Sequence, residues 1–113
     1  MHEISLCESI VRILEAQARV QNYRKVQVVR LEIGALAAVE PQALRFGFDA
    51  VARGTLADGA RLEIIPVAAR AWCQACARSV DIQARYDACP YCGRYCLQVT
   101  AGEELRIKDL EVQ

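Results

Sequence analysis

Cys73-Gln74-Ala75-Cys76 and Cys89-Pro90-Tyr91-Cys92 stand twelve residues apart in a chain of 113. Two residues between cysteines let one tight turn aim both sulfurs at a single ion, and a hairpin of roughly a dozen residues brings a second such turn opposite the first. Pro90 stiffens the second turn, and Gly93 permits a positive φ just after it. The stretch 70–97 is too short to bury a core of its own, so a bound metal would supply its folding energy. Four thiolates around a tetrahedral ion describe a Zn(II) ribbon. A rubredoxin-like iron site uses the same donors and is told apart by its colour, since Zn(II) is spectroscopically silent. A redox Cys-x-x-Cys usually needs one pair at a helix start beside a βαβ pattern, and two pairs at ribbon spacing argue against it.

Outward from this module the chain regains apolar rhythm. Upstream, 4–19 reads as an amphipathic helix, with Cys7, Ile10, Val11, Leu14 and Ala18 on one face and Glu8, Arg12, Glu15 and Arg19 turned away. Asn22 and Tyr23 mark its exit. The segment 25–33 alternates and is rich in valine, which predicts a strand with Val29, Leu31 and Ile33 on one face and Val28, Arg30 and Glu32 on the other. Glu40-Pro41 is a helix-start signal, and the helix should run to about Arg53 before Gly54 stops it, with Leu44, Phe48 and Val51 inward and Phe46 beside them. Another strand is expected over 61–67, at an edge because of Pro66.

Inside the module, 80–85 is expected to be one strand of a hairpin. After it, 103–112 alternates again as a strand. A strand follows the cysteines, so the module reads as an insertion. The fold class expected is α+β: a small three-stranded sheet with two helices, formed by 1–69 and 98–113, carrying an inserted four-cysteine zinc-ribbon-like domain over 70–97.

Composition excludes several functions. Apolar types make up 54% and charged types 25%, enough to build a core. Lys plus Arg and Asp plus Glu are 14 each, so the formal charge is zero, and a zinc-bound thiolate quartet brings it to about −2. No basic excess draws in nucleic acid. Arg70, Arg78, Arg85 and Arg94 lie in the module, but Asp81 and Asp87 lie among them. No apolar run approaches the length of a membrane span, and Met1-His2-Glu3 does not open a secretory signal. A cytoplasmic protein is expected, with no membrane partner. Cys7 is expected in the core and Cys96 as a buried or half-buried side chain rather than a spare metal ligand. No phosphate loop or nucleophile–base pair points to an enzyme.

His2 is the only histidine. A lone histidine is usually unremarkable, and helix solubility or simple capping by His2 and Glu3 is the plain alternative. Position two is different. The amine of Met1, one peptide nitrogen and the His2 imidazole can close two fused chelate rings in one plane. Such a nitrogen set suits Ni(II) or Cu(II) rather than Zn(II). Glu3 adds an amide nitrogen or a carboxylate.

Met1-His2-Glu3-Ile4-Ser5-Leu6, Leu31-Glu32-Ile33-Gly34, Val39-Glu40-Pro41, Phe48-Asp49, Arg53-Gly54-Thr55, the two cysteine pairs and Glu104-Leu105-Arg106-Ile107-Lys108 together resemble the HypA/HybF family of nickel-incorporation factors in [NiFe]-hydrogenase maturation. The resemblance spans essentially the whole chain. It implies a nickel metallochaperone with transferable Ni(II) at His2, Glu3 beside it and Glu40 as a further carboxylate, and structural Zn(II) on Cys73, Cys76, Cys89 and Cys92. It implies the GTPase HypB as partner and the hydrogenase large-subunit precursor as acceptor; a homodimer is compatible with it. Some members place another histidine near the zinc module and this chain has none, so its fourth nickel ligand would be Glu40, a backbone nitrogen, water or a partner's group. The alternative is a zinc-ribbon adaptor for protein interactions that ignores nickel. A dithiol oxidoreductase is a third class; it would turn over a disulfide substrate and lose that activity on metal loading.

Overall fold

A computed structural model describes residues 2–113 of the chain, with the His2 side chain also outside the description. The elements run α1 (His2–Gln21), β1 (Val26–Gly34), α2 (Pro41–Ala52), β2 (Arg61–Val67), β3 (Arg70–Cys73), β4 (Arg78–Asp81), β5 (Leu97–Ala101) and β6 (Leu105–Val112). They form two three-stranded sheets, one in the order β2-β1-β6 and one in the order β4-β3-β5. The α+β class, the two helices and the sheet drawn from the segments near 25–33, 61–67 and 103–112 are as the sequence predicts. Pro66 lies in an edge strand, where its missing N–H costs no ladder bond.

The chain divides into two compact units. The first comprises Met1–Leu31, Val39–Ile64 and Ile107–Gln113, and the second Glu32–Ala38 and Ile65–Arg106. The stretch 70–97 lies within the second.

The first unit has an ordinary apolar core. Cys7, Ile10, Val11 and Leu14 of α1 bury one stripe, while Leu44, Phe48 and Ala52 of α2 bury another. The two helices approach closely because Gly47 has no side chain: a Cβ there would lie 2.9 Å from Ile4 Cδ1. The Cys7 thiol donates to the Leu44 carbonyl at 3.4 Å and is otherwise desolvated, which pushes its pKa up. Cys7 is thus a core residue, as expected. Phe46 is not; it stands 79% exposed on the outer face of α2. Asn22, at φ 60°, ends α1 in the left-handed conformation common after helices. In β1, Val28 is buried along with Val29, Leu31 and Ile33, so the strand's first half is covered on both faces rather than one.

Arg30 crosses the first sheet through its side chain. Its guanidinium bonds Glu63 of β2 at 2.9 Å, Asp109 of β6 at 2.9 Å and Glu111 of β6. These contacts are half in water and contribute modestly to stability, but they fix the sheet's outer face.

The second unit is built from smaller parts. Its buried cluster is Ala69, Ala71, Cys73, Val80, Ile82 and Cys89, with Leu36, Cys76, Leu97 and Val99 packed against it. β3 pairs antiparallel with β4 and with β5. Gly34 and Gly102 meet where no side chain fits: a Cβ on Gly34 would lie 2.0 Å from the Gly102 carbonyl oxygen. The Leu36 N–H donates to that carbonyl at 2.7 Å.

Two boundaries differ from expectation. The hairpin strand is Arg78–Asp81 and not 80–85. Cys73 pairs with Arg78, so the turn is tight and β4 begins at once. It ends early because the Asp87 carboxylate takes the N–H groups of Gln83 and Ala84 at 2.9 and 3.0 Å. The last strand starts at Leu105 rather than 103, since Gly102 N–H is taken by Glu104 Oε1 at 2.7 Å.

Candidate metal centre

β3 ends on Cys73, and the chain turns through Gln74 and Ala75 to Cys76. The sulfurs of Cys73, Cys76, Cys89 and Cys92 all lie within 4.8 Å of one another. Cys73 Sγ is 3.7 Å from Cys92 Sγ, and Cys76 Sγ is 3.9 Å from Cys89 Sγ. A tetrahedron with metal–sulfur bonds of about 2.3 Å has edges of about 3.8 Å. The quartet therefore has the size of a thiolate cage around one ion, and four soft donors suit Zn(II) or iron rather than a hard cation.

Two turns build the cage, and they are chemically alike. Each Cys-x-x-Cys is followed by a residue in the left-handed region: Ala77 at φ 53° and Gly93 at φ 75°. Gly93 is legible in the sequence; Ala77 is not, because an alanine there is strained. The second turn is closed by Gly93 N–H donating to the Cys89 carbonyl and Cys89 N–H donating to the Arg94 carbonyl, both at 2.8 Å. Arg78 stacks over the Tyr91 ring at 3.8 Å, fastening the two turns side by side.

Backbone N–H groups already favour negative sulfur here. The Cys76 N–H holds the Cys73 thiol down at about 6, while desolvation pushes Cys76 up to about 12. Burial pushes Cys89 up, but the N–H groups of Cys92 and Tyr91 outweigh it and the thiol ends below its usual value. Without a cation the four sulfurs compete, and one thiolate discourages its neighbours. A dication removes that competition and lets all four ionise.

Cys73 and Cys89 are buried, Cys76 is half-buried and Cys92 is exposed. Cys96 is exposed, which corrects the expectation that it is buried or half-buried. Its sulfur lies 4.0 Å from Cys73 Sγ. The register explains this: Leu97 pairs with Cys73, so the residue before Leu97 lands beside the cage. No spacing rule flags Cys96, because the strand that follows it, β5, has no local pattern that announces it.

The other predicted site residues fall elsewhere. The amine of Met1 and the imidazole of His2 lie outside the described residues and atoms. The backbone of His2 begins α1, and Glu3 lies half-buried in its first turn. Glu40 is the N-cap of α2, and both its carboxylate oxygens accept from Gln42 N–H, at 3.1 and 2.9 Å. Among the described residues, the cysteine quartet is the set of three or more His, Cys, Asp or Glu side chains that converges; Glu3 and Glu40 belong to no such set. No helix among the described residues is long and apolar enough to cross a membrane.

Known proteins place this architecture. The family profile described as hydrogenase/urease nickel incorporation, metallochaperone, matches residues 1–112. A protein of Azotobacter chroococcum named hydrogenase maturation factor HypA is 60% identical over 113 residues, the whole of both chains. A solution structure of HypA protein superposes with a TM-score of 0.75 at 25% identity, covering 100% of this chain and 97% of the other. The solution structure of the Ni metallochaperone HypA from Helicobacter pylori has the same fold, with a TM-score of 0.71 at 24% identity over 97% of this chain and 96% of that one. The sulfur cage, the α+β frame and these likenesses lead to one assignment: the chain belongs to the HypA family of hydrogenase maturation factors and nickel metallochaperones.

Proposed function

We propose that this chain carries Ni(II) on its N-terminus and delivers it during maturation of a [NiFe]-hydrogenase, while Zn(II) on Cys73, Cys76, Cys89 and Cys92 is a permanent staple. The observation that carries the reading is where α1 begins. Helix N–H groups in the first turn have no carbonyl four residues back to bond. The peptide nitrogens of His2 and Glu3 lie in that turn, so a metal can take a deprotonated amide there without breaking a helical hydrogen bond. The helix dipole opposes a cation at this end, by roughly half an elementary charge. A deprotonated amide and the Glu3 carboxylate offset it, and the residual repulsion favours release over permanent holding. With Met1 as first residue, its amine, the amide and the His2 imidazole fill three corners of a square plane suited to Ni(II).

Glu40 already serves as a helix cap. Its carboxylate keeps lone pairs free for a metal, so it stands in the proposal as an auxiliary ligand. In this reading 1–69 and 98–113 form the nickel-binding domain and 70–97 the zinc domain. The acceptor is a hydrogenase large-subunit precursor, and the GTPase HypB is the partner that exchanges nickel with it, all in the cytoplasm. We assign no reaction of its own to the chain.

The test is a nickel titration of two versions: one starting at Met1 and one with residues added before it. Extension removes the free amine and should weaken Ni(II) binding by about 100-fold or more, with zinc content unchanged. Equal binding by the two would remove the N-terminal chelate.

A further inference from the structure

We infer that Cys96 is a fifth thiolate of the zinc cage, one that takes the corner held by Cys92 when that sulfur leaves. The inference rests on the reading that the quartet holds zinc.

Three sulfur pairs have the edge length of a thiolate tetrahedron, about 3.8 Å. Cys73 to Cys92 is 3.7 Å, Cys76 to Cys89 is 3.9 Å and Cys73 to Cys96 is 4.0 Å. Cys96 thus stands at ligand distance from Cys73 without being one of the mutually close four. Cys73 and Cys89 are buried, whereas Cys92 and Cys96 are exposed. The exposed corner is the one able to open.

The fold holds Cys96 in place from both sides. The Arg94 carbonyl, two residues before it, accepts from Cys89 N–H at 2.8 Å. Leu97, the residue after it, pairs with Cys73 in the β3–β5 ladder. Cys96 is therefore tethered to both halves of the cage.

The exchange is balanced without a redox step. The metal–sulfur bond of Cys92 breaks, a bond to Cys96 forms, and the proton leaving the Cys96 thiol ends on Cys92. Charge and sulfur count at the ion stay the same. An entering fifth thiol also lowers the barrier to loss of the ion to a competing chelator.

The experiment uses the full chain loaded with zinc, and separately with Co(II), whose sulfur charge-transfer absorption counts bound thiolates. Cys92→Ser should keep one ion per chain with four thiolates and lose less than about tenfold in affinity. Cys92→Ser/Cys96→Ser should drop to three thiolates and bind at least about 100-fold more weakly. Cys96→Ser alone should keep full metal content but release zinc to a chelator several-fold more slowly. Identical affinity and thiolate count in Cys92→Ser and the double variant would overturn the inference while leaving the zinc cage intact. Should Cys92→Ser not fold, an unchanged release rate in Cys96→Ser would overturn it. A native chain that takes up neither metal would overturn both the cage and the fifth ligand.

Discussion

The two compact units hold themselves together by different means. The first buries Leu14, Leu31, Leu44, Phe48 and the valines of β1, large apolar side chains whose transfer from water contributes about 1.5–3 kcal/mol each. The second buries Ala69, Ala71, Val80 and Ile82 with Cys73 and Cys89, so part of its interior is the thiol cage. Its alanines remove little apolar surface. A structural zinc supplies on the order of 10 kcal/mol of folding free energy in small modules, which outweighs what those alanines contribute. One unit is held by oil and the other by a cluster rich in sulfur, and on the proposed function this lets a permanent metal sit in a protein whose other metal leaves.

The largest expected effect falls on the second unit alone. Cys73→Ser should abolish stoichiometric zinc and unfold the region around β3–β5, seen as a change in fluorescence of Trp72, which adjoins Cys73 and is 40% exposed. The helical signal of α1 and α2 should persist. Loss of both together would mean that the units are not energetically separate.

Gly34→Ala comes next. Its Cβ would meet the backbone of Gly102 at 2.0 Å, and backbone cannot swing aside as a side-chain end can. Destabilisation of about 3 kcal/mol or more is expected from thermal unfolding. Gly47→Ala makes the useful contrast, because its Cβ meets the movable Ile4 Cδ1 at 2.9 Å. It should cost clearly less, and equal losses would show that the α1–α2 contact is as rigid as the Gly34–Gly102 crossing.

Arg30→Met removes the cation that Glu63, Asp109 and Glu111 share. The Glu63 carboxyl is held below its usual range chiefly by its hydrogen bond to Arg30. A depressed carboxyl pKa stabilises the fold above the unfolded-state value and loses that contribution as pH falls through the folded value. The native chain should thus lose melting temperature on acidification below about pH 4.5 more steeply than Arg30→Met does. Parallel profiles would assign the network no role.

The smallest effect is a gain. Ala77 sits at φ 53° where its counterpart in the other turn is Gly93. Ala77→Gly should relieve about 1 kcal/mol of strain and slow zinc loss. No gain would mean that the turn owes its shape to contacts rather than to tolerated strain.

The helices and the outer sheet are legible because their apolar spacing is regular: Cys7, Ile10, Val11 and Leu14 announce α1, and Glu40-Pro41 announces α2 to the residue. The cysteine spacing likewise foretells the cage. What escapes is short and non-local. β3 and β5 are four and five residues long, and they exist because Cys73 and its neighbours pair with distant partners, which no local pattern encodes. The place of Cys96 beside Cys73 follows from that pairing. Val28 reads as outward because alternation assumes one covered face, and Phe46 as inward because a helical stripe does not say how wide its cover is.

The proposed function requires two metals held by separate donors in one chain. Chain starting at Met1, exposed to excess Ni(II) and Zn(II) and then desalted, should retain about one of each per molecule by elemental analysis. His2→Ala should lose the nickel and keep the zinc. Nickel retained in full by His2→Ala, or both metals lost together, would contradict the claim.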